Sequence, residues 1–415
     1  MPERASSPRT AGGPQALALI LSLTLPITPL LSLAPNIPQL FGHFAGVPHA
    51  DYLVPWIVTM PSACIFLLSP MAGAIADRFG RRRMLVIASV VFTVFALLPL
   101  LLESIYAVLA SMFVVGAAEA FIMSCGQALL GDYFPPGPRK RWLGVQGVLG
   151  SILATCIVMA GGALGNLGWH YPFLVNLLGA VVFAGLVLFT WEPQAEAPAA
   201  SKPLVAGTQA AAGAAAGAAD GAAHGFPWAR LWPIYAVTFI TGIFYFFQIQ
   251  MSVFFARLGV DTPFLLAVTT TIASVGVIAG GWYFRQQRGR SVAFNIALIF
   301  AAYGIGFIGI GTASNYWVAL VFAVIAQFGN GLFVPNFVGW ALGTIDVRHR
   351  GFGMGVWTSS FFIGQFLSGP LLIAIAHARG GDMLAAISMA GVACLVPLAF
   401  AALRAQRGGP PAPAH

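Results

Sequence analysis

The residue whose type and setting most clearly offer chemistry is Glu119, about midway along the apolar run 105–131. It is one of 12 acids. Asp51, Glu103, Asp261 and Asp382 fall between apolar runs on one side, and Glu3, Asp77, Asp132, Glu192, Glu196, Asp220 and Asp346 on the other. No Lys, Arg or His lies deep within any run. A carboxylate in hydrocarbon costs roughly 2.5–3.5 kcal/mol on insertion scales, so such a residue is held neutral or paired and usually faces a cavity. Removal from water favours the uncharged acid, which suits a group that takes up and releases a proton. On a helix, Met112, Gly116, Met123 and Gln127 share its face. The plainer alternative is a permanently protonated side chain bonded to a neighbouring helix for packing.

The other polar residues within apolar runs are amides, hydroxyls and aromatics. Run 231–256 holds Tyr245, Gln248 and Gln250 among Phe244, Phe246 and Phe247. Run 316–342 holds Gln327, Asn330 and Asn336. Run 352–376 places Trp357, Phe361 and Gln365 on one face, and run 15–40 contributes Thr24, Thr28 and Asn36. Any one of these alone reads more readily as interhelical glue, worth ~0.6 kcal/mol in measured cases, than as a substrate contact. The set reads as candidate ligand contacts in which aromatics dominate. No phosphate-cradling glycine loop, metal-ligand cluster or nucleophile–base pair is visible. The histidines (His43, His49, His170, His224, His349, His377, His415) read as loop or tail residues without coherent spacing. Neither enzymatic activity nor a metal or cofactor is expected.

What must position these groups follows from composition. Of 415 residues, 59% are hydrophobic and 8% charged, against about 25% charged in soluble domains. A spanning helix needs roughly 20 apolar residues. Runs of that length occur at 15–40, 52–76, 84–102, 105–131, 142–165 and 171–191, and again at 231–256, 263–284, 291–311, 316–342, 352–376 and 383–403. The first is too long for a leader's apolar core and is read as a retained helix. Between the two sets, 192–230 is Ala/Gly-rich and reads as a linker. The expected fold is therefore an all-α integral membrane protein: twelve transmembrane helices in two six-helix halves, 15–191 and 231–403, with tails 1–14 and 404–415. Cys64, Cys125, Cys156 and Cys394 read as small buried hydrophobes. With the N-terminus assigned to the cytoplasm, only Arg257 and Arg379 of the 20 Lys and Arg residues fall outside, leaving 18 inside. The net charge of +8 is thereby explained by topology, with no nucleic-acid partner.

One inside loop carries a motif. Residues 73–83 read GAIADRFGRRR, with Gly73 allowing close helix contact, Asp77 at the end of a helix beside cations, and Gly80 permitting a tight turn. This resembles the G-x-x-x-D-R-x-G-R-R loop signature of the major facilitator superfamily. A worn copy follows at Gly281, Arg285 and Arg288-Gly289-Arg290. Gly73 and Gly281 are 208 residues apart and Arg141 and Arg350 are 209 apart, as expected of two parallel six-helix repeats. Arg285 stands where an acidic counterpart of Asp77 would be. Met112 replaces the arginine found in many proton-coupled relatives. Ile157 and Val158 replace a Gly-Pro pair before Gly161-Gly162.

The resemblance is strongest to bacterial drug and metabolite exporters. It implies proton-coupled transport of a small, largely apolar neutral or cationic compound by alternating access, most readily export. Glu119 would carry the proton. Gln127, Tyr245, Gln248, Asn330, Asn336, Trp357, Phe361 and Gln365 would bind substrate, and Gly73, Asp77, Arg78, Gly80, Arg81 and Asp132 would gate. The expected setting is a bacterial inner membrane, both termini cytoplasmic, with a small-molecule substrate, protons and the lipid bilayer as partners and the chain acting as a monomer. Two alternatives stand beside it: transport of a sugar-like or other polar metabolite, and a non-transporting membrane receptor or scaffold on the same fold.

Overall fold

The computed structural model describes residues 11–192, 228–287, 291–345 and 350–399. Among them no residue is in a strand. Eleven helices are long and apolar enough to cross a membrane, and a shorter apolar helix, Met383–Ala399, completes the set of twelve. The protein is a multi-pass membrane protein. The first half comprises α1 (Gly13–His43), α2 (Ala50–Phe79), α3 (Arg81–Leu101), α4 (Ile105–Tyr133), α5 (Pro136–Gly165) and α6 (Tyr171–Phe189). The second comprises α7 (Trp228–Phe244 and Phe246–Ala256), α8 (Pro263–Ala273 and Val275–Gln286), α9 (Val292–Thr312), α10 (Tyr316–Thr344), α11 (Arg350–Ala378) and α12 (Met383–Ala399). Most of the expected linker, residues 1–10 of the N-terminal tail, the whole C-terminal tail, the copied motif at 288–290 and Asp346 lie outside the described residues.

Proline and hydroxyl chemistry decide where these helices depart from straight rods. α1 is interrupted by 3-10 turns at Leu25–Ile27 and Ala34–Asn36, which contain Pro26 and Pro35. A proline inside a helix removes one backbone donor and clashes with the preceding turn. Buried Thr28 and Ser32 donate to the carbonyls of Thr24 and Pro29 in that stretch. Runs 231–256 and 263–284 read as continuous helices in the sequence. α7 is instead split at Tyr245, whose N–H is shared between the carbonyls of Thr241 (3.1 Å) and Gly242 (3.2 Å), and α8 is split at Ser274, whose Oγ donates to Thr270. Hydroxyl back-bonding of this kind bends helices.

The halves meet closely at one end and part at the other. At the end that holds Asp51 and the last turn of α11, glycines let backbones touch. A Cβ on Gly161 of α5 would lie 2.6 Å from Ser32 Cα of α1, and one on Gly162 would lie 2.8 Å from the Pro263 carbonyl of α8. Asn36 donates to the Gly161 carbonyl at 3.1 Å. Trp56 of α2 stacks on Phe366 of α11, and Ser252 of α7 donates to the Ala34 carbonyl of α1. His377, which reads from the sequence as a loop residue, sits in the last turn of α11 and pairs with Asp51 across the halves at 2.8 Å. His43 and His170 also converge, both on Glu103, at 4.0 and 3.7 Å. Burial lowers the His170 pKa, opposed by Glu103 and reinforced by His43.

Toward the opposite end, which holds Arg81, the same α5 loses its neighbours: a Cβ added at Gly144, Gly147 or Gly150 would have nothing within 4 Å. Leu67 and Met71 of α2 are exposed there as well. Cys156 is exposed on α5 rather than buried as expected, because it falls off the face on which Ile157 and Val158 pack. The result is a wedge, closed at the Asp51 end and open at the Arg81 end.

The glycines give a direct check. Gly161→Ala should cost about 1–3 kcal/mol, since the methyl meets backbone that cannot move aside. Gly147→Ala meets open space and should be neutral or stabilising by up to about 1 kcal/mol through helix propensity. Thermal unfolding of the two variants in detergent reads the difference, and equal midpoints would show that the close contact at Gly161 is not maintained.

Candidate functional site

A cavity of about 300 Å³ lies at the apex of the wedge, lined from both halves. From the first half come prolines of α1, Pro61 and Ser62 of α2, Glu119, Met123 and Gln127 of α4, and Gln146 of α5. From the second half come Tyr245 of α7 and Phe361, Phe362 and Gln365 of α11. Glu119 reaches this wall because Gly116, one turn earlier, lets α4 press on α2: a Cβ there would fall 2.5 Å from Pro61 Cα. The Glu119 side chain is 1% exposed, and its Oε1 has no hydrogen-bond partner. Gln127 Oε1 and Gln146 Oε1 are likewise buried and unpartnered. Buried polar atoms are nearly always paired, so three unpaired ones around one cavity mark a place where a ligand or water completes the bonding.

The opposite wall is aromatic. Tyr245 and Phe361 meet edge to face at 5.4 Å between centroids, and Phe333 stacks on Phe361 at 5.2 Å and on Trp357 at 6.4 Å. Ser62 donates to Gln365 Oε1 at 3.0 Å, which joins α2 to α11 at the cavity floor. Such a site has one acid, several amides, a broad apolar face and no cation. It suits an aromatic or apolar guest with a polar end, and it disfavours phosphates and dicarboxylates, which need arginine.

A second cluster sits at the mouth of the wedge. Arg81, in the first turn of α3, bonds Asp77 Oδ1 through Nε at 2.7 Å and Asp132 of α4 through Nη1 at 2.7 Å. One guanidinium thereby clamps the ends of α2, α3 and α4. Gly80 turns the chain between α2 and α3 at φ 97°, a left-handed conformation that favours glycine. The carboxylate of Glu192 accepts from the backbone N–H groups of Arg82 and Arg83 at 3.3 and 3.2 Å, capping the positive end of α3.

Residues 18–369 match the family described as Major Facilitator Superfamily. The chain belongs to that superfamily. It is 30% identical over 158 residues to a probable actinorhodin transporter of Streptomyces coelicolor, covering 36% of this chain and 27% of that protein. It is also 30% identical over 141 residues to a tetracenomycin C resistance and export protein of Streptomyces glaucescens, covering 33% and 26%. The matched stretches thus span about a quarter of these relatives' own length. Among solved structures, a bacterial homologue of the human lysosomal transporter Spinster, inward-facing and unoccupied, superposes with a TM-score of 0.69 at 18% identity, covering 95% of this chain and 96% of that one. That likeness speaks to the fold.

Within this superfamily chain, the structure gathers some of the sequence-predicted site residues and separates others. Glu119, Gln127, Tyr245, Phe361 and Gln365 share the cavity. Gln248, Asn330, Asn336 and Trp357 are not in its lining. Asn336 accepts from Asn295 of α9 at 3.2 Å, Gln248 and Asn330 belong to a chain of amides centred on Gln327, and the Trp357 ring packs on Phe333. α10 contributes nothing to the lining, although its amides read as candidate contacts in the sequence. Met112, on the face of Glu119, is wholly buried in the core rather than in the cavity. Of the expected gating residues, Asp77, Arg81 and Asp132 meet, Gly80 makes the turn, Gly73 is buried in α2, and Arg78 lies exposed beside Phe79. Sequence reasoning passes over Gln146 and Ser62. Gln146 follows the basic loop 139–141 so closely that it reads as a helix end, and a lone serine carries no signal of its own.

Because Arg81 and both its acids are about a third or more exposed, the clamp should add little to stability, about 0–1 kcal/mol. Asp77→Asn should therefore insert and unfold like the wild type while transport falls sharply, because the loop no longer holds one arrangement. Unchanged transport by a well-inserted Asn variant, measured in vesicles, would remove the gating role.

Proposed function

We propose that this chain is a proton-coupled secondary transporter that exports a small, largely apolar neutral or cationic organic compound by alternating access. The observation that carries the reading is the unpaired carboxyl oxygen of Glu119 on a cavity lined by both halves of a wedge. A group that protein does not satisfy is available to a proton or to a ligand, and a wall contributed by both halves is remade whenever the halves rock. With the basic loops inside, the wedge opens to the cytoplasm, the side from which an exporter loads. The two Streptomyces relatives are named for transport and export, which agrees with that direction.

In the proposed cycle, substrate enters from the open Arg81 end and lies against Phe361 and Tyr245 with its polar end toward Glu119. Rocking closes the Arg81 end, opens the Asp51 end and exposes the cavity to the outside. A proton arriving there neutralises Glu119 and weakens its hold on a donor or cation, so substrate leaves. Return of the protonated carrier then delivers the proton inward. The setting proposed is a bacterial inner membrane with both termini cytoplasmic, each chain working alone. Enzymatic chemistry, metals and cofactors have no part in this cycle.

Glu119→Gln keeps the shape and hydrogen bonding of the acid but cannot exchange a proton. In proteoliposomes with an imposed pH gradient, the Gln variant should still bind and exchange substrate, yet accumulate none against a gradient. Full pH-driven accumulation by that variant would sink the coupling role and turn attention to Asp51 or another ion.

A further inference from the structure

The second half buries a chain of polar side chains that the cavity lining does not use. Tyr303 of α9, 1% exposed, donates its hydroxyl to Asn330 Oδ1 at 2.5 Å. Asn330 Nδ2 donates to Gln327 Oε1, one turn away on α10. Gln327 Nε2 donates to Gln248 Oε1 of α7 at 2.7 Å. An amide can be turned to present either its oxygen or its nitrogen, so three amides in series could run in either direction. Tyr303 removes the ambiguity. Run backwards, the chain makes the phenol oxygen an acceptor and leaves a buried O–H with nothing to donate to. Run forwards, the buried phenol is satisfied.

The chain therefore ends at Gln248 with the carbonyl occupied and the NH2 group free. Gln248 is partly exposed, and among the described residues no hydrogen bond takes a proton from its Nε2. It lies one turn beyond Tyr245, to which it is tied by a backbone bond of 3.0 Å, and residues at that spacing share a helix face. Tyr245 lines the cavity. Hydrogen bonds in series polarise one another, which strengthens the last donor. Gln248 itself stands just beyond that lining, whereas Glu119 Oε1, on the lining, is an oxygen without a partner. The two halves thus make opposite demands: the first asks for a donor or a cation, the second for an acceptor.

We propose that Gln248 is a substrate subsite for a carbonyl-type oxygen, with its direction set by Tyr303, Asn330 and Gln327 acting as positioning residues. The transported class is then an aromatic compound with an N–H, O–H or amine at one end and a carbonyl oxygen at the other. This deepens the proposed function and rests on the cavity being the substrate site.

The test compares two tricyclic probes, acridone and 9,10-dihydroacridine. Both carry the ring N–H, and the second has CH2 in place of the carbonyl. Equilibrium binding to the purified full chain in detergent, with no pH gradient, is followed by quenching of tryptophan fluorescence. The wild type should bind acridone roughly five- to tenfold tighter, the difference made by one hydrogen bond. Gln248→Glu keeps the acceptor for Gln327 but loses the amide donors, and it should bring the two affinities to within about twofold. Tyr303→Phe, which frees the chain to turn over, should narrow the ratio by weakening acridone alone, whereas a merely structural role would weaken both probes together. Should Gln248→Glu fail to insert, the near-isosteric Gln248→Met serves with the same expectation. Equal affinities in the wild type, binding of neither probe, or a ratio that survives the Gln248 substitutions would overturn the subsite. Glu119→Gln, which alters the group facing the N–H that both probes share, should move both affinities together, so its effect is read apart from the carbonyl subsite. Phe361→Ala with both affinities unchanged would instead sink the cavity as the substrate site.

Discussion

A polar group inside a helix bundle must be paired with protein or left facing a space that something else fills, and this constraint sorts the interior of the chain. In lipid the cost of an unpaired group cannot be relieved by bulk water. In the second half Asn295 bonds Asn336, and Tyr303, Asn330, Gln327 and Gln248 bond in series, while both ends of the buried Gln250 amide stay unpaired. The first half leaves Glu119 Oε1, Gln127 Oε1 and Gln146 Oε1 without partners. The unpaired acceptors on the cavity lining lie on α4 and α5, and its aromatic wall lies on α7 and α11. Two halves with the same topology have become chemically unlike.

The wedge follows from a different use of side chains. Where α5 meets α1 and α8, Gly161 and Gly162 bring backbone against backbone. Close packing of this kind, with a few bonds such as Asn36 to Gly161, is what lipid-embedded helices rely on in place of a hydrophobic driving force. It is also reversible, because few strong polar bonds must break. The polar links across the closed end include Ser62 to Gln365, Ser252 to the Ala34 carbonyl, the Phe264 N–H to Asn166, and Asp51 and Tyr52 to His377, the last of these partly exposed. At the other end the charge clamp of Asp77, Arg81 and Asp132 stays within the first half, so it does not bind the halves together and leaves the mouth free to open.

Much of this was legible in the sequence, for definable reasons. Spanning length and the 73–83 motif are one-dimensional signals, and they located the helices and the Arg81 turn. Glu119 stood out because an acid among apolar residues is rare whatever its neighbours are. The helix breaks were only half visible: prolines announced those in α1, whereas the splits at Tyr245 and Ser274 depend on hydroxyl and carbonyl geometry that ordinary-looking sequence conceals. The amides were harder still. Periodicity tells which face of a helix a glutamine occupies but not what stands opposite, and that alone separates Asn336, bonded by Asn295, from Gln127, whose oxygen nothing meets. His377 and Asp51, 326 positions apart in the numbering, gave no hint of pairing for the same reason.

The same distinction explains why the acid belongs on α4 and not among the amides of the second half. A carboxyl wired into the Tyr303 chain would have its oxygens occupied, and every change of protonation would force the chain to rearrange. In the proposed cycle Glu119, which no bonded network holds, gains and loses a proton without disturbing one. Conversely, a donor that must present one orientation to a guest, the role proposed for Gln248, gains from being the last member of a directed series. Freedom on one wall and fixed polarity on the other are complementary requirements of a site that must both recognise a ligand and let it go. In the proposed reading they are met by leaving the acid unpaired on the lining and by tying the amides of the second half into a single direction.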